Sequence, residues 1–393
     1  MLLGVSGGIA AYKSVSLARL LTQAGAQVDV VLTRAALEFV GAITFEAVTG
    51  RQALAEIFEP GHALDHIRLA READVVVIAP ATADLMARAA HGHADDLLTA
   101  SLLATSSTVL FVPAMNDHMW AHPQTVRNVE HLREIGYKVL DPDDGPLAIG
   151  EGSGPGRMPE PETIFAHVGR SLEGDNTLRG RRILVTTGAT REPVDPVRFI
   201  SNHSTGKMGA AIAAAAWRRG AHVTLIAGHT DVGLPGGPRV IHIDTTEAMA
   251  RAVAEEIPSA DALVMAAAPA DFTVKSAGTS KLKREGGAPP LDLVETADIL
   301  KAASAARKKG AVMVGFALET GDAARRGEEK LKAKNLDLIV VNDQNEAGAG
   351  FGGDTNRVTL LSRDGQREEL PLMLKTELAE ELLDRIGAML NGS

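Results

Sequence analysis

Two segments in the first half of the chain carry residue types that could bind a phosphate and act on a small molecule. The turn Ser6-Gly7-Gly8 follows a predicted strand and precedes a predicted helix. Because free backbone N–H groups at a helix start attract anions, this turn could cradle a phosphate. Residues 113–120 follow another apolar run and combine two methionines, an amide and a tryptophan. That combination is hard to explain as a simple turn.

The second half carries a polar segment at residues 187–209 and a basic loop at residues 275–290. The polar segment contains two prolines, two arginines and the run S-N-H-S-T-G-K-M-G. The basic loop contains Lys281, Lys283 and Arg284. It is open to two interpretations, a solvated loop or a lid over phosphates.

Three other patterns fail as ligand motifs. Residues 4–8 do not read G-x-G-x-x-G, so the dinucleotide fingerprint is absent. Residues 205–207 resemble the end of a Walker loop, but Ser201 replaces its first glycine and Met208 replaces the magnesium-binding Ser or Thr. Two pairs of closely spaced histidines lack a third ligand and are better explained without a metal: His91 with His93, and His118 with His122.

A loose repeat of strand, glycine turn, helix and strand would position these segments. Its first copy places a helix at residues 9–24 between strands at 2–5 and 28–32. The second places a helix at 209–219 between strands at 183–186 and 223–227, and Gly25 and Gly220 stand where they would cap the helices. Further buried strands are predicted at 74–79, 109–112, 263–267, 312–316 and 338–341. This alternation predicts an α/β fold with parallel sheets, which bind ligands at the carboxyl ends of their strands.

The length of the chain predicts more than one domain. With 393 residues it exceeds the usual size of a single hydrophobic core. Glycine and polar residues without periodicity mark a linker at 173–181, between domains at 1–172 and 182–393. Residues 141–161, which are rich in Gly and Pro, predict a flexible flap.

The composition excludes several classes of function. Acidic residues outnumber basic ones by 50 to 40, giving a net charge of −10, so we expect no binding to nucleic acid, which needs a basic face. The chain contains no cysteine, which excludes disulfides, thiolate metal sites and thiol chemistry by the protein itself. Neither a signal peptide nor an apolar run of about 20 residues is found. We therefore expect a cytoplasmic protein with no membrane segment.

The first half resembles the family of flavin-dependent cysteine decarboxylases. The resemblance rests on G-G-I-A-A-Y-K at residues 7–13 and on P-A-M-N-D-H-M-W at residues 113–120. It implies a flavodoxin-like domain, bound flavin mononucleotide (FMN) and assembly as trimers. It also implies that His66 is the base and that Asn116 holds the substrate carboxylate. The residues that it assigns to FMN are Ser6, Gly7, Gly8, Thr33, Ala81, Thr82, Asp84 and Met115.

The chemistry of that family suits these residue types. The flavin oxidises the thiol-bearing carbon, carbon dioxide then leaves, and the resulting enethiol is reduced. An imidazole near neutral pKa can move a proton, and an amide can hold a carboxylate without adding charge.

The flap departs from the family pattern. The family has a flap cysteine that donates a proton when the enethiol is reduced. In this chain that position falls on Ile149 or on Gly150, depending on the alignment. Glu151 could substitute for the cysteine, although an exposed loop acid is its simpler interpretation.

The second half resembles the phosphopantothenate–cysteine ligases. The match is densest at residues 187–209 and extends over residues 182–393, which implies a Rossmann-like ligase domain with a parallel sheet. In that family CTP converts the carboxylate to an acyl-cytidylate, Mg²⁺ balances the phosphate charge, and the cysteine amine attacks. The resemblance implies that Asn202 contacts the intermediate and that Lys281 serves the second step. The implied CTP contacts are Met265, Ala266, Ala267, Asp271, Lys281, Ala297, Asp298, Ile299, Leu300, Phe316, Lys330 and Lys334.

One segment of this half departs from the bacterial pattern. Residues 295–298 read E-T-A-D, where bacterial members usually read K-N-P-D. Thr296 and Ala297 put the geometry of the following helix start in question. Glu295 would repel a triphosphate if it faced one, so we expect its side chain to point away.

Together the two resemblances predict a bifunctional enzyme of coenzyme A biosynthesis. It would convert 4′-phosphopantothenate, cysteine and CTP into 4′-phosphopantetheine. Trimeric flavin domains joined to paired ligase domains would close into a dodecamer, with residues 347–354 at the paired face. Three alternatives stay open: a ligase whose slow or oxidative first domain releases an enethiol, a first domain that is only a flavin-bound scaffold, and a nicotinamide oxidoreductase. The missing dinucleotide fingerprint counts against the last.

Overall fold

The computed structural model describes residues 1–57, 64–150, 152–283, 290–319, 323–343 and 352–392. The chain forms two compact units, Met1–Glu173 and Gly174–Ser393. Three parts of the chain singled out above lie outside the described residues: Glu151, Arg284 and residues 347–351. No helix within the described residues is long and apolar enough to cross a bilayer.

The first unit is built on a six-stranded sheet. Its strands are β1 (Leu2–Val5), β2 (Asp29–Leu32), β3 (Ala53–Leu54), β4 (Val75–Ala81), β5 (Thr108–Pro113) and β6 (Lys138–Val139). They lie in the spatial order β3-β2-β1-β4-β5-β6, and every neighbouring pair is parallel. A separate antiparallel hairpin pairs β7 (Asp143–Pro146) with β8 (Ser153–Arg157). The predicted parallel sheet of this unit is confirmed.

Helices cover both faces of this sheet. They are α1 (Ala11–Gln23), α2 (Ala42–Thr49), α3 (Asp65–Glu72), α4 (Ala83–Ala90), α5 (Leu97–Ala104), α6 (Asp117–Ala121), α7 (Pro123–Glu134) and α8 (Pro161–Leu172). Separate apolar clusters fill the two sides, one around Phe111 and Leu98 and the other around Leu17 and Ile164. β1 and β4 are buried along their whole length, which explains their continuous apolar sequences.

The second unit contains a larger, mixed sheet. Its strands are β9 (Arg182–Thr187), β10 (Arg191–Pro193), β11 (Phe199–Ser201), β12 (His222–Ala227), β13 (Arg239–His242), β14 (Ala262–Met265), β15 (Phe272–Val274), β16 (Leu293–Glu295), β17 (Val312–Glu319), β18 (Leu338–Asp343), β19 (Thr355–Ser362) and β20 (Arg367–Leu374). Eight of them form one sheet, in the order β13-β12-β9-β14-β17-β18-β19-β20. The first six are parallel, whereas β19 and β20 are antiparallel. The sequence predicted the parallel strands other than β13, but it did not predict this antiparallel edge.

In the described part of this unit, five α-helices pack on the sheet, and two small hairpins join β10 to β11 and β15 to β16. The helices are α9 (Lys207–Arg218), α10 (Thr246–Glu256), α11 (Ile299–Ala306), α12 (Ala323–Ala333) and α13 (Lys375–Asn391). A Cβ added to Gly209 would lie 2.5 Å from the Cβ of Thr187, so α9 approaches β9 this closely only with glycine there. The predicted caps Gly25 and Gly220 are left-handed, with φ of 89° and 91°.

A half-buried histidine makes the stability of the first unit depend on pH. Burial, helped by the nearby cations Arg170 and Lys138, lowers the pKa of His167 to about 4. In the unfolded chain this pKa is about 6.5. The unfolded state therefore binds more protons between these values, so stability is complete above about pH 6.5 and falls as the pH drops toward 4.

We expect acidification from about pH 7.5 to about pH 5 to destabilise the first unit by about 1–2 kcal/mol, after allowance for solvent screening at this partly exposed group. His167→Gln should flatten this part of the pH dependence. The measurement is urea unfolding of the full chain at each pH, followed by tryptophan fluorescence. The exposed His131, which lies 3.4 Å from Glu134, gives the matched control His131→Gln. If the pH dependence of stability is unchanged in the His167 variant, His167 is not its cause.

Candidate functional site

The glycine turn of the first unit lies at the carboxyl end of β1, against the residues that follow β2. A Cβ at Gly7 would stand 2.5 Å from the Cβ of Ala35 and 2.8 Å from its carbonyl oxygen, so this close approach requires glycine. In the described residues, no hydrogen bond takes up the N–H groups of Gly7 and Gly8. The turn therefore fits a phosphate, because its backbone donors are free and α1 begins three residues after Gly8.

Ser6 joins two strand ends. Its buried hydroxyl donates to the carbonyl of Pro80 at 2.7 Å and accepts from the N–H of Thr82 at 3.0 Å. The carboxyl ends of β1 and β4 are thereby held together. Since the hydroxyl hydrogen is used by Pro80, we expect Ser6 to act toward a ligand mainly by fixing this geometry.

The other predicted flavin residues lie at the same edge of the sheet. Thr33 follows β2, and its hydroxyl oxygen accepts from the N–H of Ala36 at 3.2 Å. Thr82 caps α4, Asp84 is exposed in the first turn of that helix, and Ala81 is buried at the end of β4. Strand order explains the grouping, because β2, β1 and β4 are neighbours.

Asn116 lies just after β5 and presents a free amide. Its side-chain oxygen caps α6 by accepting from the N–H of His118 at 2.9 Å. Among the described residues its amide nitrogen has no acceptor. The cap fixes the side-chain orientation and leaves the N–H₂ group to bind an anion such as a carboxylate.

The β7–β8 hairpin corresponds to the predicted flap, and it is anchored to the Asn116 segment. The N–H of Met115 donates to the carbonyl of Gly156 at 3.0 Å. A Cβ at Gly156 would lie 2.2 Å from the carbonyl oxygen of Met115. At the base of the hairpin, the buried ammonium of Lys13 donates to the carbonyl of Met158 at 2.9 Å and to Glu160 at 3.0 Å.

The tip of the flap differs from its base. Ile149 is fully exposed, and Gly150 is left-handed with φ of 91°. These are the two positions onto which the family cysteine aligns. Neither carries a proton donor, and Glu151 lies outside the described residues.

His66 lies in the first turn of α3 and has a buried ring nitrogen. Its Nδ1 has no hydrogen-bond partner among the described residues. A buried polar atom left unpaired costs about 1–3 kcal/mol, so a ligand or water is expected to satisfy it. Because α3 leads into β4, its start faces the carboxyl edge of the sheet, where Asn116 also lies. No hydrogen bond joins His66 to Asn116 in the described part of the chain.

In the second unit, Asn202 contacts the loop that follows β14. Its amide donates to the carbonyl of Pro269 at 2.9 Å and to that of Ala268 at 3.4 Å. The same loop is fixed to β9 through the N–H of Ala267, which donates to the hydroxyl of Thr186 at 3.1 Å. Met265, Ala266, Ala267 and Asp271, all predicted nucleotide contacts, are carried by this strand end and loop.

A buried network of side chains supports the loop that follows β14. The carboxylate of Glu192 accepts from the N–H and hydroxyl of Thr246 at 2.8 and 2.9 Å. Thr190 lies 2.9 Å from Thr246 and accepts from the N–H of Ala270 at 2.9 Å. The polar segment, the start of α10 and the nucleotide loop are thereby joined.

The start of α11 lies beside the same loop. The hydroxyl of Thr296 donates to the carbonyl of Ala270 at 2.7 Å, and its N–H donates to the carbonyl of Asp271 at 3.0 Å. Asp298 caps the helix and lies 3.2 Å from the ammonium of Lys334. The departure at this segment is therefore accommodated, because threonine supplies the bonds and Asp298 keeps the cap. Glu295 is exposed.

The remaining predicted nucleotide contacts occupy neighbouring elements. Ile299 and Leu300 are buried in the first turn of α11, whereas Ala297 is exposed before it. Phe316 lies on β17, next to β14, and Lys330 lies in the last turn of α12, which ends just before Lys334. The structure thus gathers most of the predicted set around the carboxyl ends of β14 and β17.

Lys281 is exposed on a loop held by a buried carboxylate. Asp195 accepts from the N–H of Leu282 at 3.1 Å. This bond outweighs the cost of burial and, with the N–H groups of Val197 and Arg198, holds the pKa of Asp195 below its usual range. Asp195 therefore stays ionised at neutral pH.

Metal binding by protein side chains finds no support in the described part of the chain. No group of three or more His, Asp or Glu residues there is placed to hold a metal ion. His122 instead caps α7 by accepting from the N–H of Gln124 at 3.2 Å, and His91 contacts the carbonyl of Ala87 at 2.8 Å.

Three supporting residues were not identified from sequence: Lys13, Glu192 and Asp195. Each is at least 94% buried. Lys13 bonds to the end of the flap, Asp195 bonds to the loop of Lys281, and Glu192 bonds to Thr246, which in turn donates to the carbonyl of Ala270. Their presence within the G-G-I-A-A-Y-K and R-E-P-V-D-P runs was the only available signal. Nothing in those runs shows that the charged groups face inward.

Comparisons with known proteins agree with this two-part arrangement. Residues 1–173 match the family model described as flavoprotein, and residues 178–390 match the DNA/pantothenate metabolism flavoprotein C-terminal domain. The coenzyme A biosynthesis bifunctional protein CoaBC of Mycobacterium tuberculosis is 47% identical over 408 residues, covering 100% of this chain and 97% of that protein. The CoaBC protein of Bacillus subtilis is 43% identical over 394 residues, covering 99% of this chain and 97% of that protein.

Solved structures of single domains also match. The crystal structure of the C-terminal domain of a CoaBC protein is 36% identical, covering 56% of this chain and 100% of that one, with a TM-score of 0.48. The relatives match along their whole length, and both family models align in the same order as the two units. The chain therefore belongs to the family of bifunctional coenzyme A biosynthesis proteins, CoaBC.

Proposed function

We propose that the second unit joins cysteine to 4′-phosphopantothenate with CTP and that the first unit decarboxylates the product to 4′-phosphopantetheine. The observation that carries this proposal is the full-length relationship to bifunctional coenzyme A biosynthesis proteins. The geometry supports it, because each unit groups its family motif residues at the carboxyl ends of parallel strands.

FMN is the cofactor that fits the first unit. Gly7 and Gly8 would hold its phosphate through their free N–H groups, and the segment from Ala81 to Asp84 and Met115 would contact the rest of it. Bound there, FMN would supply the reversible oxidation of the thiol-bearing carbon that makes loss of carbon dioxide possible. The close fit between Gly7 and Ala35 keeps side chains out of this turn.

The chain's own residues would orient the substrate and move its protons. The free amide of Asn116 would bind the cysteine carboxylate as a neutral donor, which holds it without stabilising its charge as strongly as a cation would. The unpaired Nδ1 of His66 offers a ring nitrogen that can accept or donate one proton. The anchored β7–β8 hairpin would cover the bound substrate and exclude water from it.

In the second unit, CTP would convert a poor acylating agent into a reactive acyl-cytidylate. Asp271 and the start of α11 would bind the nucleotide, and Lys330 and Lys334 would face its phosphates. Mg²⁺ would be held mainly by the triphosphate, consistent with the lack of a side-chain metal cluster in the described residues. Asn202 would contact the intermediate, and Lys281 would stabilise charge during attack by the cysteine amine.

Self-association is part of the same proposal. Helices α1 and α2, which pack together, carry exposed apolar side chains, among them Tyr12 at 61% and Ile43 at 76% exposure. Exposed apolar surface of this kind favours protein contacts. We propose trimeric flavoprotein units and paired ligase units, which would close into a dodecamer.

The direct test is product analysis by mass spectrometry. The purified chain, incubated with 4′-phosphopantothenate, cysteine, CTP and Mg²⁺, should form 4′-phosphopantetheine and show the visible absorbance of oxidised flavin. Omitting CTP should abolish formation of both 4′-phosphopantothenoylcysteine and 4′-phosphopantetheine. Stripping the flavin should instead stop the reaction at 4′-phosphopantothenoylcysteine. A colourless protein that does not bind added FMN would refute the decarboxylase half and leave the ligase half standing.

A further inference from the structure

The turn at residues 194–198 lies against the loop that carries Lys281, and one buried carboxylate joins them. The side chain of Asp195 is fully buried. Its Oδ1 accepts from the N–H groups of Val197 and Arg198, each at 2.8 Å, which closes its own turn. Its Oδ2 accepts from the N–H of Leu282 at 3.1 Å, 87 residues further along the chain.

Two further bonds from this turn hold the same loop. The N–H of Gly278 donates to the carbonyl of Val194 at 2.9 Å. The guanidinium of Arg198 donates to the carbonyl of Leu282 at 3.1 Å, and it also lies 3.4 Å from Asp195. The loop backbone is therefore fixed on both sides of Lys281, at positions 278 and 282.

This arrangement goes beyond what a turn requires. An aspartate that only closes its own turn uses one oxygen and leaves the other to solvent. Here the second oxygen is buried and bonded to a distant backbone group. The side chains of Lys281 and Lys283 are exposed, so within the described residues the loop is held mainly through its backbone.

We propose that Asp195 is a positioning residue for the ligase reaction, fixing the backbone around Lys281 so that its ammonium group reaches the reacting phosphate. This inference rests on the proposed function, because it takes Lys281 to act in the attack of the amine. Asp195 itself does not touch the substrate. By fixing the backbone, it reduces the range of positions that the long, flexible side chain of Lys281 can adopt.

Asp195→Asn should separate this role from folding. Asparagine has nearly the same shape, and its one oxygen can still close the local turn. Its amide nitrogen would then face the N–H of Leu282, so the tie to the loop is lost. Because displacement of a catalytic group by about 1 Å can cost about 100-fold, we expect the second step to slow by about 10- to 100-fold. Acyl-cytidylate formation should change far less.

A second variant and a control define the effect. Asp195→Ser keeps an acceptor for the local turn but is too short to reach Leu282, so it should behave like Asp195→Asn. Asp292→Asn makes the same chemical change in an exposed pair, 3.7 Å from Lys275, at the base of the same loop. We expect this control to leave both steps unchanged.

The measurements combine kinetics with a local structural readout. Hydrogen–deuterium exchange on the full chain should rise at residues 278–283 in both Asp195 variants and stay unchanged in β9 and β14. Rapid-quench analysis should show accumulated acyl-cytidylate. Combining Asp195→Asn with Lys281→Gln should slow the second step little more than Lys281→Gln alone, because both changes act through one group.

Several results would overturn the inference. Unchanged exchange at residues 278–283, or an unchanged second step in a chain where Lys281→Gln is slow, would remove the positioning role. Increased exchange throughout the second unit would show that Asp195 stabilises the fold in general. If Lys281→Gln keeps full turnover, the proposed role of Lys281 fails, and the exchange experiment still reports separately on the bond between Asp195 and Leu282.

Discussion

Replacing Lys281 with glutamine is expected to leave acyl-cytidylate formation largely intact and to slow its reaction with cysteine by about 100- to 1000-fold. Glutamine can donate a hydrogen bond but carries no charge to stabilise the phosphate as it leaves. The intermediate should therefore accumulate. Rapid-quench mass spectrometry should detect it, together with a burst of pyrophosphate close to one equivalent per site.

The matched control for this variant is Lys309→Gln. Lys309 is exposed before β17, at the amino end of that strand and therefore on the opposite edge of the sheet from the predicted nucleotide residues. The same loss of charge there should leave both steps unaffected. Full ligase turnover in the Lys281 variant would contradict the proposed role of this lysine.

The purified chain supplied with 4′-phosphopantothenoylcysteine is expected to form 4′-phosphopantetheine although the family's flap cysteine is absent. The described part of the flap favours this outcome, because its base is fixed by Gly156 and by the contacts of Lys13. We expect that Glu151 or a water in the closed flap would supply the proton. His66→Asn should abolish carbon dioxide release, because the ring nitrogen that would move the proton is removed.

The decisive measurement follows product mass and flavin absorbance together. A product lighter than 4′-phosphopantetheine by two hydrogens, with the flavin left reduced, would show that the oxidative alternative is correct. General acids typically contribute about 100- to 10,000-fold, so Glu151→Gln should reveal a donor role clearly. In a rescue experiment, Ile149→Cys is preferable to Gly150→Cys, because Gly150 has a left-handed backbone that strains other residues.

Several features of the fold were accessible from local sequence. Apolar runs predicted the central parallel strands of both units but not the short edge strands β3, β6 and β13, and glycine after the periodic segment predicted where α1 and α9 end. The antiparallel edge formed by β19 and β20 was missed, although the sequence contains a hairpin signal between them. Asp364-Gly365 is a typical hairpin turn, and Gly365 is left-handed with φ of 88°. The strands predicted from the sequence end at residue 341, so this hairpin was not among them.

Some residues of the candidate site could be predicted from the sequence, whereas their hydrogen-bond partners could not. Asn116 and Asn202 could be identified because each lies in a motif that resembles a known family, and Asn116 also follows a predicted strand. Their partners could not be identified. The amide of Asn202 meets the carbonyl of Pro269, which is 67 residues away, and no local pattern shows such a pairing.

By itself, the sequence determined the family, the parallel central strands of both sheets, the strand ends that carry most of the motifs, and the absence of a flap thiol. These properties depend on residue type and short-range periodicity, which neighbouring residues decide. Only the tertiary structure decided that Asp195 reaches Leu282, that Glu192 supports Thr246, and that Lys13 holds the base of the flap. What packs against a charged side chain decides whether it is a solvated surface group or a buried group that holds two segments together. Burial of an unpaired charge is costly, so a buried charged group must be paired with groups that the fold brings to it.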